Sequence, residues 1–544
     1  MVGIAVNVHG AGATWEGQLE ARLQAHSGLV AAAILALGFS LRLHAASGTF
    51  LNPDEALHFL TANQLSLAAV YRESLSTAHP PLLMFVLHFW RHLGTSEFVL
   101  RVPSVLAGTG FCWFFYAWVN ELFGKVAGIA SLALAALLPP MIELSSEIRQ
   151  YALLLLFLSA CVYFVERAFT RSSAPAMLLG WIFLDLALLT HYAAAFVAMA
   201  LGVYCILRNQ ARRRVLAAWI SGAASAAALL AFLYRSHIAR MAGTLQLAAQ
   251  EWMRTSYYHP GHGSAVLFAF ARTVGVLQFI FGQLVVGDLL FLLFAAGIAF
   301  LFWKPKDQPA LASSNLKPSW QLGVLFVLPF VLNCAAAIAG KYPYGGTRHC
   351  AYLSIFAIAA VSYALAKLLS GRLARALGTA LLIVIVCSLF GHPHRPYMLR
   401  RDQNERNMRM AIAAIRLQVP SEATLFIDSQ TGFLLRYYLC RDAPFTDASV
   451  LTLRSYQCGG YQVISAPTAT YTFTAENFPE QLRQMAQTYK PSDAIWVFQA
   501  GWDVKLPGEL QSLSQFHDLQ PQWFGRNIVL FQISGSKNII TNGP

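Results

Sequence analysis

The sequence predicts a polytopic α-helical membrane protein of about 11 transmembrane helices, with helices lying along its outer surface and a C-terminal soluble α/β domain. Three observations predict it. The 544 residues are 56% hydrophobic and only 12% charged, against roughly 25% charged in soluble domains. Apolar runs close to the ~20 residues that a spanning helix needs recur along the chain. After about residue 391 these runs give way to short β-type runs and amphipathic helical stretches. The expected divisions are a cytoplasmic N-terminal tail over 1–27, a transmembrane domain over 28–391 and an extracytoplasmic α/β domain over 392–544.

The first span reads as Gly28 to Ala46, an uncleaved helix after a Gly/Ala-rich tail without a signal-peptide layout. Further spans fall at 98–119, 125–143, 149–169, 175–190, 192–208, 215–234, 286–303, 320–340, 349–368 and 374–391. The cation clusters test this count. Arg167/Arg171, Arg208 with Arg212–Arg214, Lys304/Lys306/Lys317 and Lys367/Arg372/Arg375 all fall inside when the N-terminus is inside. The same count places Asp54, Glu147–Arg149, Lys341–His349 and the tail outside. Pro80 to Leu93 is short and carries His88, Arg91 and His92, and 263–285 carries Arg272 and Gln278. Counting either one alone as a span inverts the downstream clusters, so both read as outer interfacial helices. In the tail, Ala423–Ile427 and Ala494–Phe498 read as strands, with helices at 403–417 and 478–489.

The net charge of +13 is explained by Lys and Arg in cytoplasmic loops, and no basic arm interleaved with aromatics points to nucleic acid. The composition makes the bilayer the first partner. No Walker A or dinucleotide fingerprint occurs, which argues against a nucleotide donor. Cys112, Cys161, Cys205, Cys334 and Cys387 lie in apolar runs and Cys350 at the edge of one, as small hydrophobes do. No CxxC pattern points to a metal. The tail holds Cys440 and Cys458 alone. Outside the cytoplasm they can close a loop of about 19 residues. The alternative is two unpaired thiols in a small core.

The candidate chemistry gathers on the outer face. Asn52-Pro53-Asp54-Glu55 follows the first span, and two adjacent carboxylates at a membrane surface are costly unless solvated, paired or used. Asp54 reads as a catalytic base and Glu55 as its support; the plainer alternative is a pair of first-turn helix charges. Ala78-His79-Pro80-Pro81 opens the interfacial helix, and His79 can face an anion. Glu147-Ile148-Arg149-Gln150-Tyr151 opens the fourth span, with an outer arginine that calls for a partner. Lys341-Tyr342-Pro343-Tyr344-Gly345-Gly346-Thr347-Arg348-His349 combines cations, tyrosines and a flexible Gly-Gly suited to a phosphate clamp. The expected donor-phosphate ligands are Arg149, Lys341, Arg348 and His79. The expected substrate contacts are His58, Tyr151, Tyr342, Tyr344 and His349. Arg235, Arg240 and Arg254 add positive charge nearby. Cations that hold a leaving phosphate, beside a carboxylate that takes a hydroxyl proton, suit transfer from a lipid phosphate.

The order of one helix, an outer Asp54-Glu55, a His79-Pro80-Pro81-Leu82 interfacial helix, Ser96-Glu97 with Arg101, and Arg149-Gln150-Tyr151-Ala152-Leu153 resembles the GT-C-type membrane glycosyltransferases. It is most similar to the bacterial relatives of protein O-mannosyltransferases and lipid A aminoarabinose transferases. The resemblance is good over about residues 28–200, looser to 390, and only in kind beyond. It implies a polyprenyl-phosphate-linked sugar donor and inverting transfer to a glycan, lipid or protein hydroxyl, on the periplasmic side of the inner membrane. Asp54 matches the family's catalytic acidic residue. Gln150 stands where some relatives carry a further acidic residue, which leaves a second carboxylate and any divalent metal site open; Glu147 and Glu143 are substitutes for it. No cofactor is otherwise expected. Competing readings are a transporter or flippase, for which Asp185 in Trp181-Ile182-Phe183-Leu184-Asp185 is the best mid-membrane charge, and an O-antigen-type ligase or polymerase.

Overall fold

A computed structural model describes residues 26–75, 77, 79–208, 213–240, 253–261, 263–282, 284–303, 320–368, 379, 404–421, 423–441, 452–489, 494–502, 504, 506–510 and 519–533. Residues 1–25 of the expected tail 1–27, most of the expected span 374–391 and the domain boundary near 391 lie outside the described residues.

Among the described residues 7 helices are long and apolar enough to cross a membrane, and shorter apolar helices accompany them, including Lys125–Leu137, Ala174–Leu188, Ala194–Leu207 and Ala265–Phe281. The expected span 125–143 is broken. It forms the helix Lys125–Leu137, then a separate turn of helix, Pro139–Leu144. Pro139 and Pro140 account for the break, since proline cannot donate to the preceding turn. The carbonyls left open at this helix end are met by Arg42 of the first span. Its buried guanidinium donates to Ala135 O at 2.9 Å and to Ala136 O at 2.8 Å, where a helix C-terminus favours a cation. The segment 263–285 contains the helix Ala265–Phe281, ended by Gly282 at φ 74°. Leu82–Trp90 forms the short outer helix, burying Leu83, Met84, Leu87 and His88.

Tyr151–Arg171 packs between Glu97–Phe123 and Ala174–Leu188. It starts beside Arg149 and ends at Arg171, so the expected outer and inner charge clusters sit at opposite ends of one helix. Asp185 accepts a hydrogen bond from Ser225 Oγ at 2.6 Å. This ties two adjacent helices together, as a polar side chain in a helix bundle commonly does.

The C-terminal domain is a six-stranded sheet of order β2-β3-β1-β4-β6-β5. The strands are β1 Thr424–Ile427, β2 Arg454–Cys458, β3 Tyr461–Ser465, β4 Ile495–Ala500, β5 Gln522–Trp523 and β6 Ile528–Ile533. β1 lies parallel to β3 and β4, with the helices Ser429–Leu439 and Phe478–Tyr489 in the crossovers. The expected strands and helices of the tail are therefore all present. Cys440 and Cys458 form a disulfide with Cα atoms 5.2 Å apart.

The domain is not an appendage. A single buried cluster joins Phe50, Leu51, Phe59 and Leu83 to Ile415, Leu425, Leu434 and Tyr437. Polar contacts fix the register: Leu51 N donates to Tyr438 Oη at 2.9 Å, and Tyr437 Oη donates to Thr95 O at 2.7 Å. This contact sets the carboxyl ends of β1 and β4 over the helix that carries Asp54.

Candidate active site

The site begins with a helix start. Asn52 Oδ1 accepts the Glu55 N–H and Glu55 Oε2 accepts the Asn52 N–H, both at 2.9 Å. This reciprocal capping box, with Pro53 at the first helical position, fixes the helix Pro53–Ala62. The cap also decides what Glu55 can do. Its carboxylate accepts from Arg101 at 2.8 and 2.7 Å and from the Ile148 N–H at 2.9 Å. The Arg101 and Glu55 side chains are only 2% and 1% exposed. The carboxylate of Glu55, expected beside Asp54 in catalysis, is occupied by these contacts and ties three segments together. The physical reason is its position: a capping glutamate turns back over the helix start.

Asp54, one residue earlier, faces a different set. Its Oδ2 lies 2.5 Å from Arg149 Nη1 and 2.8 Å from Arg348 Nη2. Asp54 is 19% exposed and Arg348 27%, while Arg149 is 5% exposed. Burial alone would raise the Asp54 carboxyl, but the charges of Arg149 and Arg348 hold it below the usual carboxylate value. Two of the expected donor-phosphate ligands thus meet on the expected base. Lys341 does not join them; it is exposed.

Four histidines adjoin this charge cluster. His58 Nδ1 lies 2.5 Å from Asp54 O and, facing a carbonyl, is the donor. Ring centroids run from His58 to His79 at 6.0 Å, from His79 to His191 at 5.4 Å and from His191 to His349 at 6.4 Å. Burial, then the charge of Arg149, lowers His58 and His191 to about 3. Burial, then His191, holds His79 well below its ordinary value of 6.5. These rings are uncharged at neutral pH, so His79 is not the cation that facing an anion would favour. It lies 3.0 Å from Gln150 Nε2 through its own Nε2.

The tyrosines divide. The Tyr151 ring lies 5.6 Å from Arg149 Cζ and 5.6 Å from the His191 ring. Tyr342 Oη donates to His349 O at 3.3 Å. Tyr344 is elsewhere: it is buried, its hydroxyl pairs with Thr273 Oγ1 at 2.7 Å and its N–H with Ser256 O at 2.9 Å. Among the described residues no group of three or more His, Cys, Asp or Glu side chains is placed to hold a metal ion.

Sequence reasoning missed the residues that the C-terminal domain supplies. The Trp502 ring lies 5.6 Å from Arg348 Cζ, and Tyr471 packs on Trp502 at 6.1 Å. Trp502 N donates to Gln430 Oε1 at 3.0 Å, and Gln430 Nε2 donates to Trp502 O at 3.1 Å. The turn demands glycine at 501. Its φ is 130°, and a Cβ there would stand 2.5 Å from Gln430 Oε1 and 3.0 Å from Pro53 Cγ. One signal was present: Gly501-Trp502 follows an expected strand, and open α/β sheets place sites beyond strand carboxyl ends. His191 was also missed, although its loop between the fifth and sixth spans falls on the same face as Asp54.

Two comparisons bear on this arrangement. A family model described as dolichyl-phosphate-mannose-protein mannosyltransferase matches residues 78–236. Among solved structures, ArnT from Cupriavidus metallidurans bound to undecaprenyl phosphate superposes with a TM-score of 0.52 at 16% identity, over 92% of this chain and 97% of that one. The fold is that of the GT-C-type membrane glycosyltransferases. The same GT-C architecture is seen in the apo state of that ArnT, at a TM-score of 0.50 and 14% identity over 93% of this chain and 98% of that one. It is seen again in the Archaeoglobus fulgidus oligosaccharyltransferase tethered with an acceptor peptide, at 0.50 and 12% identity over 88% of this chain and 69% of that one. No curated protein matches in sequence. The GT-C likeness extends along nearly the whole chain, beyond the residues 28–200 where motifs carry it.

Proposed function

We propose that this protein is an inverting glycosyltransferase that moves a sugar from a polyprenyl-phosphate donor to an acceptor hydroxyl at the outer face of the membrane. The observation that carries the reading is the Asp54 carboxylate held between Arg149 and Arg348. The GT-C fold supports it, as do a relative crystallised with undecaprenyl phosphate and one tethered with an acceptor peptide. The acceptor is a glycan, lipid or protein hydroxyl, and the membrane is the bacterial inner membrane with the site on its periplasmic side.

In this reading the acceptor oxygen attacks the anomeric carbon from the face opposite the phosphate. The carbon–oxygen bond to the phosphate breaks, and its electron pair leaves with polyprenyl phosphate. Asp54 takes the hydroxyl proton. Arg149 and Arg348 turn toward the phosphate, which supplies the developing charge with fixed donors and frees Asp54 from its two counter-ions. Its proton affinity then rises as the acceptor needs a base. Glu55 holds the helix and Arg101 in place and does not touch the reactants.

The test is incubation of purified protein in detergent with radiolabelled polyprenyl-phosphate sugars. Transfer, or slow hydrolysis without acceptor, is the expected result. Neither turnover nor binding of polyprenyl phosphate would overturn the reading.

A further inference from the structure

Several polar atoms in and beside the Asp54 cluster are buried without a hydrogen-bond partner among the described residues, Arg149 Nε and Trp502 Nε1 included; two of them, His191 Nε2 and Gln150 Oε1, belong to neighbours of His79. Their residues are only 2% and 1% exposed. The contacts around them fix what each atom offers. His191 Nδ1 accepts the Ala193 N–H at 3.1 Å, so the neutral ring carries its proton on Nε2. With His79 in its Nδ1–H tautomer, Gln150 Nε2 donates to His79 Nε2 at 3.0 Å and its oxygen is the open acceptor. One atom is a donor without an acceptor, and the other an acceptor without a donor. Both belong to side chains that flank the same His79 ring. Leaving buried polar groups unpaired is costly, and each such group calls for an explanation.

We propose that Gln150 and His191 form the subsite for a hydroxyl group of the transferred sugar. A hydroxyl donates to Gln150 Oε1 and accepts from His191 Nε2–H, satisfying both. A phosphate oxygen accepts only, so it would leave the Gln150 oxygen opposed by another acceptor. The His79 ring, half-buried and backed by His191, supplies a flat face for the C–H side of a pyranose or furanose. The subsite also selects by charge. Gln150, His79 and His191 are uncharged, and Arg149 stands 5.6 Å from the Tyr151 ring, so a sugar bearing an ammonium would meet a cation and no counter-ion from these side chains. The transferred sugar therefore presents an uncharged hydroxyl, and not an ammonium, to Gln150 and His191. This inference rests on the proposed polyprenyl-phosphate donor.

The test compares a polyprenyl-phosphate neutral hexose as donor with bare polyprenyl phosphate as inhibitor. His191→Phe keeps the ring and removes the donor; Gln150→Leu removes the acceptor. Each is expected to lower kcat/KM for the hexose donor about 10- to 100-fold while the inhibition constant of bare polyprenyl phosphate stays within about twofold. Gln150→Glu keeps an acceptor and adds a negative charge, and it is expected to shift preference toward a donor whose sugar carries an amine. Unchanged kcat/KM in both His191→Phe and Gln150→Leu would overturn the subsite. So would an equal weakening of bare polyprenyl phosphate, which would assign these residues to the phosphate or to the fold. A wild-type protein that neither turns over any such donor nor binds polyprenyl phosphate would instead overturn the functional reading underneath.

Discussion

Arg348 and Asp54 are 294 positions apart in sequence, and their side chains meet at 2.8 Å. The pair joins the helix Pro53–Ala62 to the short helix Arg348–Leu353. With Arg149 on the same carboxylate oxygen, it makes one cluster from three segments that lie far apart in the sequence.

Replacing Asp54 removes the base and leaves both cations free for phosphate. Asp54→Asn is expected to lower turnover by about 10²–10⁴, with polyprenyl phosphate still competing for the site. The measurement is radiolabel transfer at matched amounts of folded protein. Wild-type turnover by Asp54→Asn would remove it from the mechanism.

Glu55 is expected to behave oppositely. Breaking a buried ion pair by changing one partner costs about 3–5 kcal/mol, and Glu55 pairs with Arg101 in full burial. Glu55→Gln therefore lowers the melting temperature strongly, while turnover per folded molecule falls far less than in Asp54→Asn. A Glu55→Gln protein that melts normally but is inactive would return Glu55 to the chemistry.

How much of this was legible in the sequence follows from the range of each signal. Hydropathy and cation placement are local, and they gave the membrane fold and the common face on which Asp54, Arg149 and Arg348 meet. The tail's strands and helices were legible for the same reason. The helix-start contacts of Glu55 were legible as the plainer alternative for the acidic pair, because Asn52 and Glu55 have the spacing of a capping box. Trp502 and His191 were not legible. Their place depends on packing between segments hundreds of residues apart, which no local pattern encodes. Tyr344 and Lys341 show the converse: neighbours of Arg348 in sequence, they point into the core and toward the surface.

Acid should destabilise the protein before its carboxylates titrate. His58 and His191 have folded values of about 3 against an ordinary 6.5. Between these values the unfolded chain binds protons that the folded chain refuses, so stability falls as pH drops from about 6.5 toward 3. Asp54 adds to the lower end. Its folded value lies below the ordinary 3.8, so its contribution is present above 3.8 and lost as pH falls through the folded value. Melting temperatures between pH 7 and 4 check this. A His58→Gln/His191→Gln double variant should show a shallower slope, and an identical slope would assign the effect elsewhere.

Trp502 reaches Arg348 from the C-terminal domain. A cation–π contact is worth about 0.5–2 kcal/mol, so Trp502→Ala should lower kcat/KM about 2- to 30-fold, with Trp502→Phe between it and wild type. Wild-type kinetics in Trp502→Ala would reduce the contact to incidental packing.

The buried cluster shared by the outer helices and the C-terminal domain has a consequence for biogenesis. Leu51 and its partner Tyr438 are 387 residues apart. At about 5–20 residues per second of synthesis, the apolar face around Phe50, Leu51 and Phe59 waits roughly 20–80 s for the segment that covers it. During that interval the membrane helices can insert, but the face has only lipid headgroups or a chaperone to shield it. A chain halted before residue 404 should keep this region open to added protease, whereas the finished chain should protect it. The nascent protein is therefore most exposed to quality control after insertion, and the surroundings of Arg348 are complete only when the domain carrying Trp502 docks.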